Sequence, residues 1–247
     1  MEILIYGVWG FGLAAIGSFI GVCYTRIPIG KQIINGPSQC DNCGKKLQAY
    51  EMIPIISYLM LGGKCHSCKK RIPRSCLILE LATVVVGMVP LCLFGLTING
   101  FAVSMAACIL LEIAIIDYKT MEISDKASLL LGSIGIVLMF TRGTYLSSLI
   151  GFFAVSLPFC VLALLKLMGM GDVVLMAAAG IFLGFPNIFC AAFFGIVIGS
   201  IGAVIQKITK LKGWKSEIAF GPYLCSGIYI AMLFGEDIIS QYLSMIQ

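Results

Sequence analysis

Charge is what this 247-residue sequence has least of: Asp, Glu, Lys and Arg together make up 12 % of it, about half of the roughly 25 % usual in soluble domains. So few polar side chains cannot coat a water-facing surface, which excludes a soluble domain. Disorder is excluded as well, because 60 % of the residues are apolar and disordered segments are poor in them. The chain has no basic stretch ahead of its first apolar run, carrying Glu2 there instead, and no A-x-A-like site follows. That run is therefore expected to be a retained helix and not a cleaved signal peptide. Also missing are a clear internal repeat and the glycine-rich strand–turn–helix fingerprint of a dinucleotide-type site.

What the sequence has is apolar runs, near 3–22, 76–96, 99–116, 127–141, 147–168, 173–185, 187–205 and 219–234. Most approach the ~20 residues that cross a bilayer core, and two are short. They predict an all-α polytopic membrane protein of about eight transmembrane helices. The formal net charge of +5 is concentrated, not spread as a nucleic-acid surface would need: nine basic residues, from Arg26 to Arg74, fall in the one long polar segment. Basic loops stay cytoplasmic, so this segment is expected inside. Alternating the spans from there puts 16 of the 17 basic residues on that side, with Arg142 the exception and both termini outside. The expected organisation is a first transmembrane helix at 1–24, a cytoplasmic segment at 25–75 and a membrane-embedded part at 76–247. The partners this implies are the lipid bilayer and no nucleic acid; oligomeric state is not readable.

Four of the 11 cysteines form Cys40-x-x-Cys43 and Cys65-x-x-Cys68, with 21 residues between the pairs. Two thiolate pairs at such spacing suit a tetrahedral zinc site, each pair supplying two sulfurs from a tight turn. Lys45 and Lys46, or Lys69 and Lys70, would offset the thiolate charge. Two disulfides are the competing reading, and a reducing cytosol favours zinc. Four sulfurs leave no open position, so the zinc is expected to be structural, stapling a segment too short to build a core. His66, the single histidine, reads as an exposed loop residue. Cys23, Cys76, Cys92, Cys108, Cys160, Cys190 and Cys225 read as small hydrophobes.

Acidic residues beside membrane spans need a reason, because burying charge in lipid is costly. Asp117 closes the third run and Asp172 opens the sixth, in Gly169-Met170-Gly171-Asp172. The predicted topology puts both at the cytoplasmic ends of separate helices, where they can converge on one water. Two close carboxylates share a proton: the ionised one takes a proton from water while the protonated one hydrogen-bonds a scissile carbonyl. The glycines at 169 and 171 would let backbone approach an extended substrate. In the plainer alternative, Asp172 only caps a helix and Asp117 only marks an interface. Glu80 is expected to pair with Arg71 or Arg74, with cofactor or amine recognition as the alternative, and Glu112 to make a polar interhelical contact. The shortness of the sixth run predicts that its helix starts below the membrane surface or adjoins a re-entrant turn, either of which lets water reach Asp172.

These residues resemble the type IV prepilin peptidases, bifunctional membrane aspartyl proteases of the GxGD class. The resemblance runs through Gly17-Ser18-Phe19 with Arg26 and Pro28, the segment from Cys40 to Cys68 with Ile53-Pro54 and Ser57-Tyr58-Leu59, and Glu80-Leu81. It continues through Asp117 with Ile123-Ser124-Asp125, Gly169 to Asp172, and Phe220-Gly221-Pro222-Tyr223. It implies an aspartic endopeptidase of the bacterial inner membrane that cuts a short leader from pilin-like precursors at the cytoplasmic face. Asp117 and Asp172 would be the catalytic pair and Cys40, Cys43, Cys65 and Cys68 the zinc ligands. It also implies methylation of the new N-terminus from S-adenosylmethionine, whose site no residue marks. Gly21 stands where the commonest signature has Asn, Val174 where GDxKL has Lys, and Ser124 where IPD has Pro. A peptidase without methyl transfer, a transporter, and a zinc scaffold without chemistry are the alternatives.

Overall fold

The computed structural model describes residues 1–30, 38–40, 42–209 and 218–246. Lys31, Lys210, Lys212 and Lys215, which enter the charge pattern, lie outside the described residues. Its helices are α1 (Glu2–Arg26), α2 (Ile56–Met60), α3 (Arg74–Phe94), α4 (Ile98–Thr120), α5 (Asp125–Arg142), α6 (Tyr145–Leu164), α7 (Met170–Leu183), α8 (Asn187–Ile208) and α9 (Gly221–Ile246). Each of the eight apolar runs is a helix, and α2 is a short addition inside the polar segment. By length and composition, α1, α3, α4, α6, α8 and α9 suffice to cross a membrane. The other two are the short pair: α5 has 18 residues with charge at both ends, and α7 has 14.

Element ends differ from the apolar runs where local chemistry overrides hydropathy. The fifth run ends at Leu164, not 168, because Lys166 turns left-handed at φ 58° and breaks the helix. The last run extends past Glu236 and Asp237 to Ile246, because a helix tolerates charge that a span does not. Arg142, the one basic residue that the charge pattern sets apart, lies within electrostatic reach of Glu236.

The chain divides into two packed units, Met1–Gly100 and Phe101–Gln247. In the first, α1 packs on α3 where Gly17 meets the backbone of Glu80: a Cβ at 17 would stand 2.7 Å from the Glu80 Cα. In the second, α6 meets α7 at Gly151 and Gly180, where a Cβ on either would strike the other's carbonyl oxygen. Such contacts between small residues are how helices associate in lipid, where apolar burial gives little drive. Burial follows suit. Ala106, Ala107 and Ala179 are fully inside, together with Thr83, Ser104 and Ser128, while Leu164 and Ile208 are each 74 % exposed.

Within the second unit α5 and α7 run parallel. Ile123 faces Gly171, Gly132 faces Ala178 and Gly135 faces Phe182, the two sequences advancing together. The segment after α4 and the start of α7 therefore lie at one level.

Candidate active site and metal centre

That level is where the second unit is hollow. A cavity of about 900 Å³ is lined by residues of 117–125 from the α4–α5 connection, 166–174 from the α6–α7 connection, and 218–220 ahead of α9. Asp117 and Asp172 both stand on its wall, 4 % and 7 % exposed, and their charges act on each other. The two aspartates singled out by the sequence are thus brought to one cavity from separate helices.

Each carboxylate is held by a backbone donor. Asp117 Oδ2 accepts the N–H of Gly221 at 2.9 Å. Asp172 is the third residue of α7, and its Oδ2 accepts the N–H of Gly169, the residue before that helix, at 3.2 Å. A helix start leaves such donors without intrahelical partners, so Asp172 also caps its helix, as the plainer reading has it. That role does not take it out of the cavity. Gly169 and Gly171 line the cavity too, and Gly171 has a second reason to be glycine: a Cβ there would stand 2.9 Å from that of Ile123. Glu112 is half-buried on α4 and is not on the cavity wall.

In the first unit the four cysteines converge, with all Sγ atoms within 4.8 Å of one another. Cys40 Sγ and Cys68 Sγ are 3.9 Å apart. Sulfurs placed ~2.3 Å from a tetrahedral zinc stand ~3.8 Å from one another, so the cluster fits the ion. A disulfide needs ~2.05 Å, and none joins the four. The two pairs are built alike. Cys40 N–H donates to Lys45 O and Gly44 N–H to Cys40 O; Cys65 N–H donates to Lys70 O and Lys69 N–H to Cys65 O. Gly44 and Lys69 hold the matching left-handed positions, at φ 68° and 56°.

Backbone N–H groups of Cys43 and Asn42 hold the Cys40 thiol below its usual range. The N–H of Lys70, then the Asn42 side-chain amide, hold Cys68 down to about 6. Both shifts favour the thiolate, the metal-binding form. Asn42 Nδ2 reaches Cys68 Sγ at 3.6 Å, and Lys70 Nζ donates to Asn42 Oδ1 at 2.6 Å. Asn42, which in the sequence gives the first pair its turn-like context, is thus also a donor to the cluster. Of the lysines expected to offset thiolate charge, Lys45 faces Glu51 at 3.7 Å. His66 is exposed, edge-on to Tyr50, and outside the cluster.

The expectation for Glu80 is corrected. It makes no ion pair with Arg71 or Arg74; its buried Oε2 accepts the backbone N–H of Ile55 at 2.6 Å. The polar segment folds back over the start of α3 and presents an amide closer than either guanidinium.

Comparison with known proteins gives the family. Residues 11–94 match the bacterial peptidase A24 N-terminal domain, and residues 104–204 the type IV leader peptidase family. A prepilin leader peptidase/N-methyltransferase of Bacillus subtilis is 30 % identical over 239 residues, 95 % of this chain and 96 % of that protein. One from Pseudomonas aeruginosa is 30 % identical over 83 % of this chain and 74 % of its own, and one from Legionella pneumophila 26 % over 96 % and 94 %. No solved structure matches the chain. A multi-pass membrane protein with two carboxylates at one cavity and a four-cysteine cluster, this chain belongs to the type IV leader peptidase family.

Proposed function

We propose that this chain cuts the leader from prepilin-like precursors with Asp117 and Asp172 as its catalytic pair, and then methylates the N-terminus that cleavage exposes. The observation that supports the pair is its placement: two buried carboxylates from different helices on the wall of one cavity. Two interacting carboxylates on one cavity wall favour a single shared proton. The ionised aspartate takes a proton from water as its oxygen attacks the scissile carbonyl, and the protonated one donates to the carbonyl oxygen. Collapse of the resulting diol returns that proton to the leaving amine. A helix keeps its amides in internal hydrogen bonds, so a helical precursor has to unwind locally to expose one to the pair.

In this reading residues 1–24 are the first membrane helix, 25–75 a zinc-binding segment and 76–247 the protease part, in a bacterial inner membrane. The basic segment and both aspartates face the cytoplasm, as the charge distribution supports. Zinc, held by Cys40, Cys43, Cys65 and Cys68, would supply folding energy to a segment with almost no core. S-adenosylmethionine is the methyl donor this reading calls for, and no residue is assigned to it.

The test is co-expression with a panel of pilin-like precursors, read by mass spectrometry of the pilin N-terminus, for wild type, Asp117→Asn and Asp172→Asn. Asparagine keeps an oxygen to accept each backbone N–H but removes the shared proton. Wild type is expected to trim the leader and add a methyl mass, and both variants to trim nothing while present in the membrane at wild-type levels. Trimming by either variant would overturn the two-aspartate mechanism.

A further inference from the structure

The donor to Asp117 comes from a segment that the catalytic reading leaves without a role. Phe220-Gly221-Pro222-Tyr223 opens α9 and is seated by a glycine face of α8. A Cβ on Gly199 would stand 2.6 Å from the Phe220 ring, and one on Gly202 2.6 Å from Tyr223 Oη. Gln206 Nε2 donates to Tyr223 Oη at 2.8 Å and closes the same contact. With its neighbours so held, the Gly221 N–H is aimed across to α4, onto Asp117 Oδ2 at 2.9 Å. A side chain at 221 has no room: its Cβ would lie 2.6 Å from Asp117 Oδ2 and 2.9 Å from Cγ.

We propose that Gly221 is a positioning residue for the aspartate pair: its amide holds Asp117 Oδ2 as a hydrogen-bond acceptor, and its missing side chain leaves that carboxylate its place on the cavity wall. This rests on reading Asp117 and Asp172 as the catalytic pair. An oxygen engaged by an N–H is kept unprotonated, so water and the shared proton meet Asp117 through Oδ1. The donor to Asp172 comes from the residue before its own helix, whereas the donor to Asp117 comes from 104 residues away and depends on how α8 and α9 pack.

The experiment uses the full chain in lipid nanodiscs and, as substrate, the precursor that wild type trims in the panel, with kcat and KM measured from pH 4 to 9. Gly221→Ala pushes on the carboxylate, and misplacing a reacting group by about 1 Å costs on the order of 10²-fold in rate. The expected result is a kcat lowered about 100-fold with KM within about threefold. The acid limb of the rate profile should also move to higher pH, because a lost or weakened N–H bond no longer favours the charged carboxylate. An unchanged profile, whether kcat is retained or lowered, would overturn the proposal, since mere loss of folded enzyme scales the rate without moving the limb.

Should Gly221→Ala fail to accumulate, Tyr223→Phe decides. It removes only the Gln206 contact, and is expected to lower kcat a few-fold and move the limb the same way; a wild-type profile would overturn the proposal. Asp117→Asn, assayed alongside, separates the two readings. If it is inactive while the Gly221 and Tyr223 variants behave as wild type, only the role of Gly221 is lost. If it still cleaves, the aspartate pair fails and Gly221 with it.

Discussion

Glu80 Oε2 accepts the backbone N–H of Ile55 at 2.6 Å, and Ile55 is a β-branched residue held at φ 62°. With ψ −53° this is a γ-turn of positive φ, closed by Ile56 N–H donating to Pro54 O at 2.6 Å, a rare and strained conformation that costs on the order of 1–3 kcal/mol, so the carboxylate holds in place a turn the chain would not adopt alone. Glu80→Ala is expected to destabilise the first unit by ~1.5–3 kcal/mol, the range for a hydrogen bond to a charged group. Glu80→Gln, which retains an acceptor oxygen, should lose less. Denaturant titration in detergent checks the order, and equal stability of wild type and Glu80→Ala would refute it.

If the four sulfurs hold zinc, metal analysis of purified protein should give one ion per chain and Cys65→Ser should lose it. Asn42→Ala removes a donor to Cys68 Sγ, and loss of such an outer partner typically weakens metal binding ~10- to 100-fold. Competition with a chromophoric chelator measures this. Full zinc retention by Cys65→Ser would rule out the four-sulfur site.

Gly180 and Gly151 let α6 and α7 touch backbone to backbone. Gly180→Ala forces the helices apart, and overpacking of this kind costs ~1–3 kcal/mol or more. Gly7 has nothing within 4 Å of an added Cβ, so Gly7→Ala should be neutral or stabilising by up to ~1 kcal/mol through helix propensity. Thermal unfolding of the two variants side by side is the measurement, and matching midpoints would contradict the packing argument.

The Ser128 hydroxyl is fully buried in the second unit with no hydrogen-bond partner among the described residues. Ser128→Ala removes an unpaired polar group and should raise stability by up to ~1–2 kcal/mol. A clear drop in unfolding temperature would mean that the hydroxyl has a partner in the membrane.

The helices were legible because hydropathy is a local property. A run such as 187–205 has no low-energy state in lipid except one that pairs its own backbone groups. Their ends were less so. Lys166 stops α6 by a backbone turn, and the polar residues after Gly235 continue α9, and neither follows from hydropathy. The cysteine cluster was legible for a related reason: each pair needs only its own tight turn, and two such turns in one polar segment bring four sulfurs together.

Asp117 and Asp172 stood out through scarcity, as carboxylates beside apolar runs, and the parity of the spans brought them to one side. Tertiary structure decided the rest. The partner of Glu80 is an amide and not an arginine, because the fold of the polar segment sets the distance. The donor to Asp117 is Gly221, because glycines on α8 let α9 start where it does. Periodicity and composition report which solvent each residue prefers, which suffices to place helices in a bilayer. They carry no information about which backbone group of one helix meets which side chain of another 104 positions away; that contact is set by the close packing of small residues.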